Sequence, residues 1–291
     1  MYVGFELNNY RPLSNVAGYE LDSFREQKDA RHEDLSSYLI GVFENKEVVD
    51  AEKISQHIFP FQKADIFLSH SHADEEKAIE LAVSLQKKGL NVFVDSCVWG
   101  YFHKLLDGLN EVYAEPNRHD KGVTYNYRKA TDLTAGVHMM LSGALHQMIQ
   151  RCELFIFLNT DKSIPLENYQ SFDRTFSPWI YSELQFSSQV KRTTPDRHLQ
   201  PVFESYDGSQ GLIKSTASSR SDVLLAFKAF NRHLPKITGE EMQRWYNQDV
   251  YASHNHSKAE VALDALYESH DIVSRYADLE NKMDGADARH R

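Results

Sequence analysis

The first clear rhythm of apolar and polar positions in this chain runs from Ala64 to Ser96. Ala64-Asp-Ile-Phe-Leu-Ser69 is a short apolar run closed by a small polar residue, the pattern of a strand buried on both faces. From Asp74 to Lys88, Ala78, Leu81, Ala82 and Leu85 recur at helical spacing. Asp74, Glu75 and Glu76 open that segment and Lys87-Lys88-Gly89 closes it, matching the helix dipole and a glycine stop. A second strand, Asn91-Val-Phe-Val-Asp-Ser96, follows at once. Strand, helix and strand joined by short turns predict a right-handed βαβ unit.

The rhythm then breaks. Tyr101 to Leu133 is rich in Tyr, Asn, Asp and Lys and reads as an insertion, with a short helix around Phe102–Val112. It resumes at Val137 to Arg151, where Met140, Leu141, Ala144, Leu145 and Met148 form one stripe. Next come the strand Leu154-Phe-Ile-Phe-Leu158, a helix from Pro178 to about Val190, and a candidate edge strand, Leu199-Gln-Pro-Val-Phe203. Alternating elements over 64–206 predict an open parallel α/β sheet covered by helices. Residues 1–63 read as an N-terminal extension with a helix at Asp50–Ile58. Residues 207–291 read as a helical C-terminal extension, with helices at about Asp222–His233 and Lys258–Lys282.

Composition narrows the function classes. No apolar run approaches the ~20 residues of a membrane span, and the N-terminus lacks the basic flank and apolar stretch of a signal peptide. Cys97 and Cys152 make neither a metal-type spacing nor a disulfide framework, so a reducing cytoplasm is the expected setting. A net charge of −10 argues against a nucleic-acid surface, which needs a basic patch to release counterions.

Ligands of open parallel sheets bind beyond the carboxyl ends of the strands. Those ends are polar here: Ser69-His-Ser-His72, Asp95 to Gly100, and Asn159 to Ser163. Ser177-Pro-Trp-Ile-Tyr-Ser-Glu-Leu184 starts a helix beside the last of them. Ser177 suits the N-cap and Pro178 the first turn. Trp179 and Glu183 are i and i+4, on one face, with a core Trp and a solvated Glu as the ordinary alternative. His70-Ser-His72-Ala-Asp74 is similar to the His-x-His-x-Asp-His signature of metallo-β-lactamase-like hydrolases. Glu75 stands where the last histidine belongs, however, and the later Gly-His is missing. Cys97 beside Asp95 lacks the electropositive setting of a reactive thiol. Gly-rich phosphate loops do not occur.

Taken in order, Asp65-Ile-Phe-Leu-Ser-His-Ser71, Leu81 to Gly89, Val92-Phe-Val-Asp95, Cys152 to Asn159 and the Trp-x-x-x-Glu of 179–183 resemble a Toll/interleukin-1 receptor (TIR) domain. The resemblance covers about half the chain. It implies a flavodoxin-like sheet and, as in many bacterial members, cleavage of NAD+ at the nicotinamide–ribose bond in antiphage defence, either making a cyclic ADP-ribose-type signal or depleting NAD+. On this reading NAD+ is a substrate, and no cofactor or metal is required. Glu183 matches the catalytic glutamate, and Trp179 the motif tryptophan. Ser69, His70 and Ser71 match the loop after the first strand, and Asp95 to Trp99 the start of the loop after the second. Homo-oligomers or TIR–TIR assemblies, and an effector protein that reads the product, are the implied partners. The segment 101–133 replaces a compact second loop, and the Arg-Asp-x-x-Pro-Gly box of receptor-type members is absent.

Nicotinamide leaves a positive pyridinium as a neutral base, so no general acid is required. The site must instead stabilise an oxocarbenium-like ribose. One carboxylate can do so only if it is ionised and open to the sugar. A scaffold module acting by self-association is the rival from another class, and metal hydrolysis through His70, His72 and Asp74 is a third.

Overall fold

The computed structural model describes residues 1–29, 39–43, 46–58, 64–120, 122–169, 172–198, 225–252 and 255–287. In chain order the elements begin with β1 (Val3–Asn8), α1 (Gly18–Asp29), the hairpin β2 (Leu39–Phe43) and β3 (Lys46–Val49), and α2 (Ala51–Ile58). Then come β4 (Ile66–Ser69), α3 (Glu75–Lys87), β5 (Val92–Val94), α4 (Ser96–Tyr113), the hairpin β6 (Asn117–His119) and β7 (Gly122–Thr124), and α5 (Tyr127–Arg151). These are followed by β8 (Leu154–Leu158), β9 (Leu166–Tyr169), β10 (Phe172–Thr175) and α6 (Pro178–Ser187). The last are β11 (Phe227–Lys228), β12 (Lys236–Thr238), α7 (Gly239–Tyr246), α8 (Lys258–His270) and α9 (Ile272–Asp287).

Five of these strands form one parallel sheet in the order β12-β1-β8-β4-β5. Every residue of β4 and β8 is buried, as their unbroken apolar sequences require of central parallel strands. Read from the other edge, β5-β4-β8 has the 2-1-3 arrangement that opens a flavodoxin-like sheet. The sheet is wider than the segment 64–206 expected to hold it. The N-terminal β1 lies inside it, paired with β8 and β12, and β12 comes from the C-terminal flank. Gly239 shows how tightly that flank is seated: a Cβ there would fall 2.3 Å from the Asn9 carbonyl oxygen, so the chain needs glycine at this contact.

The insertion is also more regular than its composition predicts. α4 is 18 residues long and packs on the 25-residue α5, with the exposed hairpin β6–β7 between them. Asp95 caps α4 by accepting the Ser96 N–H, and Asn126 caps α5 by accepting that of Lys129. The apolar spacing around Phe227 is helix-like, yet β11 pairs antiparallel with β10 instead of continuing a helix. The long C-terminal helix is broken into α8 and α9 at Asp271, whose φ of 49° is left-handed. Arg197 reaches both Glu153, just before β8, and Asp264 of α8, at 2.5 and 2.8 Å, and so fastens α8 to the amino edge of the sheet. The candidate strand at 199–203 lies outside the described residues. Among the described residues, no helix is long and apolar enough to cross a membrane.

Candidate active site

Helix α6 places its functional residue by periodicity. Ser177 accepts the Ile180 N–H at 3.3 Å and Pro178 occupies the first turn, as the sequence anticipates. Ile180, Glu183, Leu184 and Ser187 then form one buried stripe against the core. A neighbouring stripe meets α5: Trp179 stacks on His138, the Ser182 hydroxyl lies 2.9 Å from His146 Nε2, and Phe186 stacks on His146. Trp179 and Glu183 therefore serve different contacts despite their i, i+4 spacing. The indole packs between α6 and α5.

Glu183 meets residues from two distant strand ends. Ser69, the last residue of β4, donates its hydroxyl to Glu183 Oε2 at 2.5 Å. Asp95, just past β5, lies near enough for its charge to act on the same side chain, whose other oxygen, Oε1, is buried without a hydrogen-bond partner among the described residues. His70 Nδ1 lies 2.8 Å from Asp95 Oδ1, with both side chains buried. Ser69, His70, Asp95 and Glu183 thus form one buried group at the carboxyl end of the sheet, drawn from residues up to 114 positions apart.

The electrostatics of this group overturn one expectation. Glu183 is 0% exposed, not open to a cleft. Burial, and then the neighbouring Asp95 charge, push its carboxyl well above the usual range; the Ser69 hydroxyl opposes this without reversing it. In this conformation burial favours the neutral form of Glu183. Burial alone disfavours the His70 cation, but the adjacent Asp95 outweighs it and raises the imidazole above its ordinary value.

The remaining candidates separate. The Ser71 carbonyl accepts the Asp74 N–H at 2.7 Å, closing the turn after β4. Asp74 is buried and accepts from Thr160 at 2.5 Å and from Lys77 at 2.7 Å. The His72 side chain is 79% exposed and sits near Glu75. His70, His72 and Asp74 therefore point to three different partners, and the ligand set of the metal reading is not assembled. Among the described residues no cluster of three or more His, Cys, Asp or Glu is placed to hold a metal ion. Trp99 and Cys97 lie in the first turn of α4, with side chains outside the described residues. Cys152, by contrast, is buried, and desolvation pushes its thiol up to about 12, which fits an inert core residue.

Sequence reasoning passed over another buried acid. Glu6, in the middle of β1, is 0% exposed; it accepts from Asn159 at 2.8 Å and Asn231 at 3.0 Å, and lies 3.6 Å from Lys236 Nζ. Its signal was one carboxylate inside the apolar run Val3-Gly-Phe-Glu-Leu7. No family model, curated protein or solved structure matches the chain significantly.

Proposed function

We propose that this chain is a TIR-like module with a flavodoxin-like core that cleaves NAD+ at the nicotinamide–ribose bond, with Glu183 stabilising the ribosyl cation in an opened form of the site. The supporting observation is convergence. Ser69 and His70 at the end of one strand, Asp95 after the next, and Glu183 of the Pro-Trp helix meet at the carboxyl end of a parallel sheet, where ligands of such sheets bind. A strongly perturbed carboxyl held by specific partners at such an edge is the pattern expected of a functional group.

As described, the site is not reactive. A neutral, sealed acid offers no charge to an oxocarbenium ion. Opening must admit the sugar and let Glu183 lose its proton, and the gain of solvation lowers its pKa toward the ordinary range. Assembly of several copies is the proposed trigger, since a partner's surface can supply the energy that displaces the cover. The product would deplete NAD+ or act as a nucleotide signal read by an effector protein, in the cytoplasm.

The sealed carboxyl favours a second reading, a non-catalytic module in which the group fastens α6 to β4 and α4. The two readings part on one experiment: the purified full chain is incubated with NAD+, with and without a crowding agent, and products are identified by mass. Nicotinamide release lost in Glu183→Gln supports cleavage. No release under any condition, or equal release by both proteins, leaves the module reading.

A further inference from the structure

The small antiparallel sheet β9-β10-β11 carries its charges on separate faces. Alternation along β10 sends Asp173 and Thr175 one way and Phe172 and Arg174 the other. Asp173 accepts from Asn231, which also donates to Glu6, so the acids face the main sheet. On the opposite face Arg174 and Lys228 are register partners across β10 and β11, two like charges placed side by side. Such a pair destabilises a sheet unless something offsets the repulsion. Lys228 Nζ lies 3.8 Å from the centre of the Phe172 ring and 4.9 Å from that of Phe230, and the Arg232 guanidinium lies 4.7 Å from Phe172. Arg174 Nε is buried and has no hydrogen-bond partner among the described residues. A buried guanidinium N–H left unpaired costs free energy until an acceptor reaches it.

We propose that this outer face is a binding platform for a phosphorylated ligand, whose anionic oxygens engage Arg174, Lys228 and Arg232 while an aromatic part lies against the half-buried Phe172 and Phe230 rings. Phosphate oxygens are the natural partners of a guanidinium fork. A guanidinium, an ammonium and two phenylalanine rings together suit a nucleotide better than a simple inorganic anion. The chain's net charge of −10 makes this a local site rather than a generally basic surface. The inference stands apart from the reaction at Glu183. Its ligand can be either the dinucleotide itself or a separate nucleotide.

Calorimetric titrations of the full-length Glu183→Gln chain, which removes turnover, with inorganic pyrophosphate, ADP and NAD+ test it. ADP should bind one per chain and at least tenfold more weakly to Arg174→Ala and to Lys228→Gln. Arg174→Lys should show partial recovery, because the charge is kept and the fork is lost. If NAD+ weakens in parallel with ADP, the platform holds the dinucleotide. If ADP and pyrophosphate weaken and NAD+ does not, the ligand is a separate phosphorylated molecule. Unchanged ADP affinity in both folded variants, verified by circular dichroism, or no ADP binding to the parent chain, would overturn the proposal.

Discussion

Two glutamates of this molecule are equally sealed, at 0% exposure, yet their surroundings differ in kind. Glu6 sits in an interior strand and has amide donors on both carboxyl oxygens, with a lysine nearby. Glu183 has one hydroxyl donor and a second carboxyl group, and that neighbour is in turn held by His70. Burial alone therefore does not define a site; the chemistry of the partners does. The Glu6 group resembles a structural joint, because its partners Asn159 and Asn231 tie β1 to the end of β8 and to the small sheet. The Glu183 group favours the neutral acid in a place where charge is needed for the proposed reaction, and so its charge is poised to change when the site opens.

Substitutions can break this contrast. The largest effect is expected in Glu183→Gln, which keeps the shape of the protonated acid: nicotinamide release from NAD+ should fall by about 10³-fold or more, while the thermal midpoint does not fall below that of the parent. A large fall in the midpoint with no change in rate would reverse the assignment. Glu6→Leu should do the opposite. Two buried amides lose their acceptor, and urea unfolding should show a loss of about 2–4 kcal/mol, with NAD+ turnover retained in the folded fraction.

A pH series sharpens the contrast further. The folded-state pKa of Glu183 is raised, so its contribution to stability is complete below the unfolded value, near 4.5, and is lost as pH rises through the folded value. His70, also raised, acts with the same sign above its reference of 6.5, so the Glu183 effect is read between those two values. There the parent chain should lose up to about 1.4 kcal/mol per pH unit relative to Glu183→Gln, measured by denaturant unfolding. Parallel curves would mean that the folded carboxyl titrates as the unfolded one does. Asp264, bound by Arg197 and His198 strongly enough to overcome its burial, should act with the opposite sign, its contribution fading as pH falls through its lowered value. The smallest effect is expected in Lys236→Met: the lysine is 68% exposed and 3.6 Å from Glu6, so unfolding should shift by less than about 1 kcal/mol.

Local patterns made much of this legible in the sequence. The run from β4 through α3 to β5, then β8 and the capped α6, is encoded by apolar spacing, end charges and Ser177-Pro178, each readable within a dozen residues. The interior place of β1 is not encoded locally. Its partners are β8 and β12, about 150 and 230 positions away, and parallel pairing leaves no short-range trace such as a hairpin turn. The helix expected around Phe102–Val112 is the later part of α4, whose start reads as loop in the sequence, and polar composition hid the first turns of α5, whose outer face is solvated. The meeting of Ser69, Asp95 and Glu183 followed from where ligands of parallel sheets bind. Their sealing did not, because solvent exclusion depends on every element packed around the carboxyl group.

The most direct test of the account is a carbon-13 NMR titration of the glutamate side-chain carboxyl groups in the full chain, compared with Glu183→Gln. The account predicts one resonance, absent from the variant, that titrates well above the remaining glutamates and moves toward them when NAD+ or assembly opens the site. A Glu183 resonance that titrates with the exposed glutamates in the free protein would contradict it.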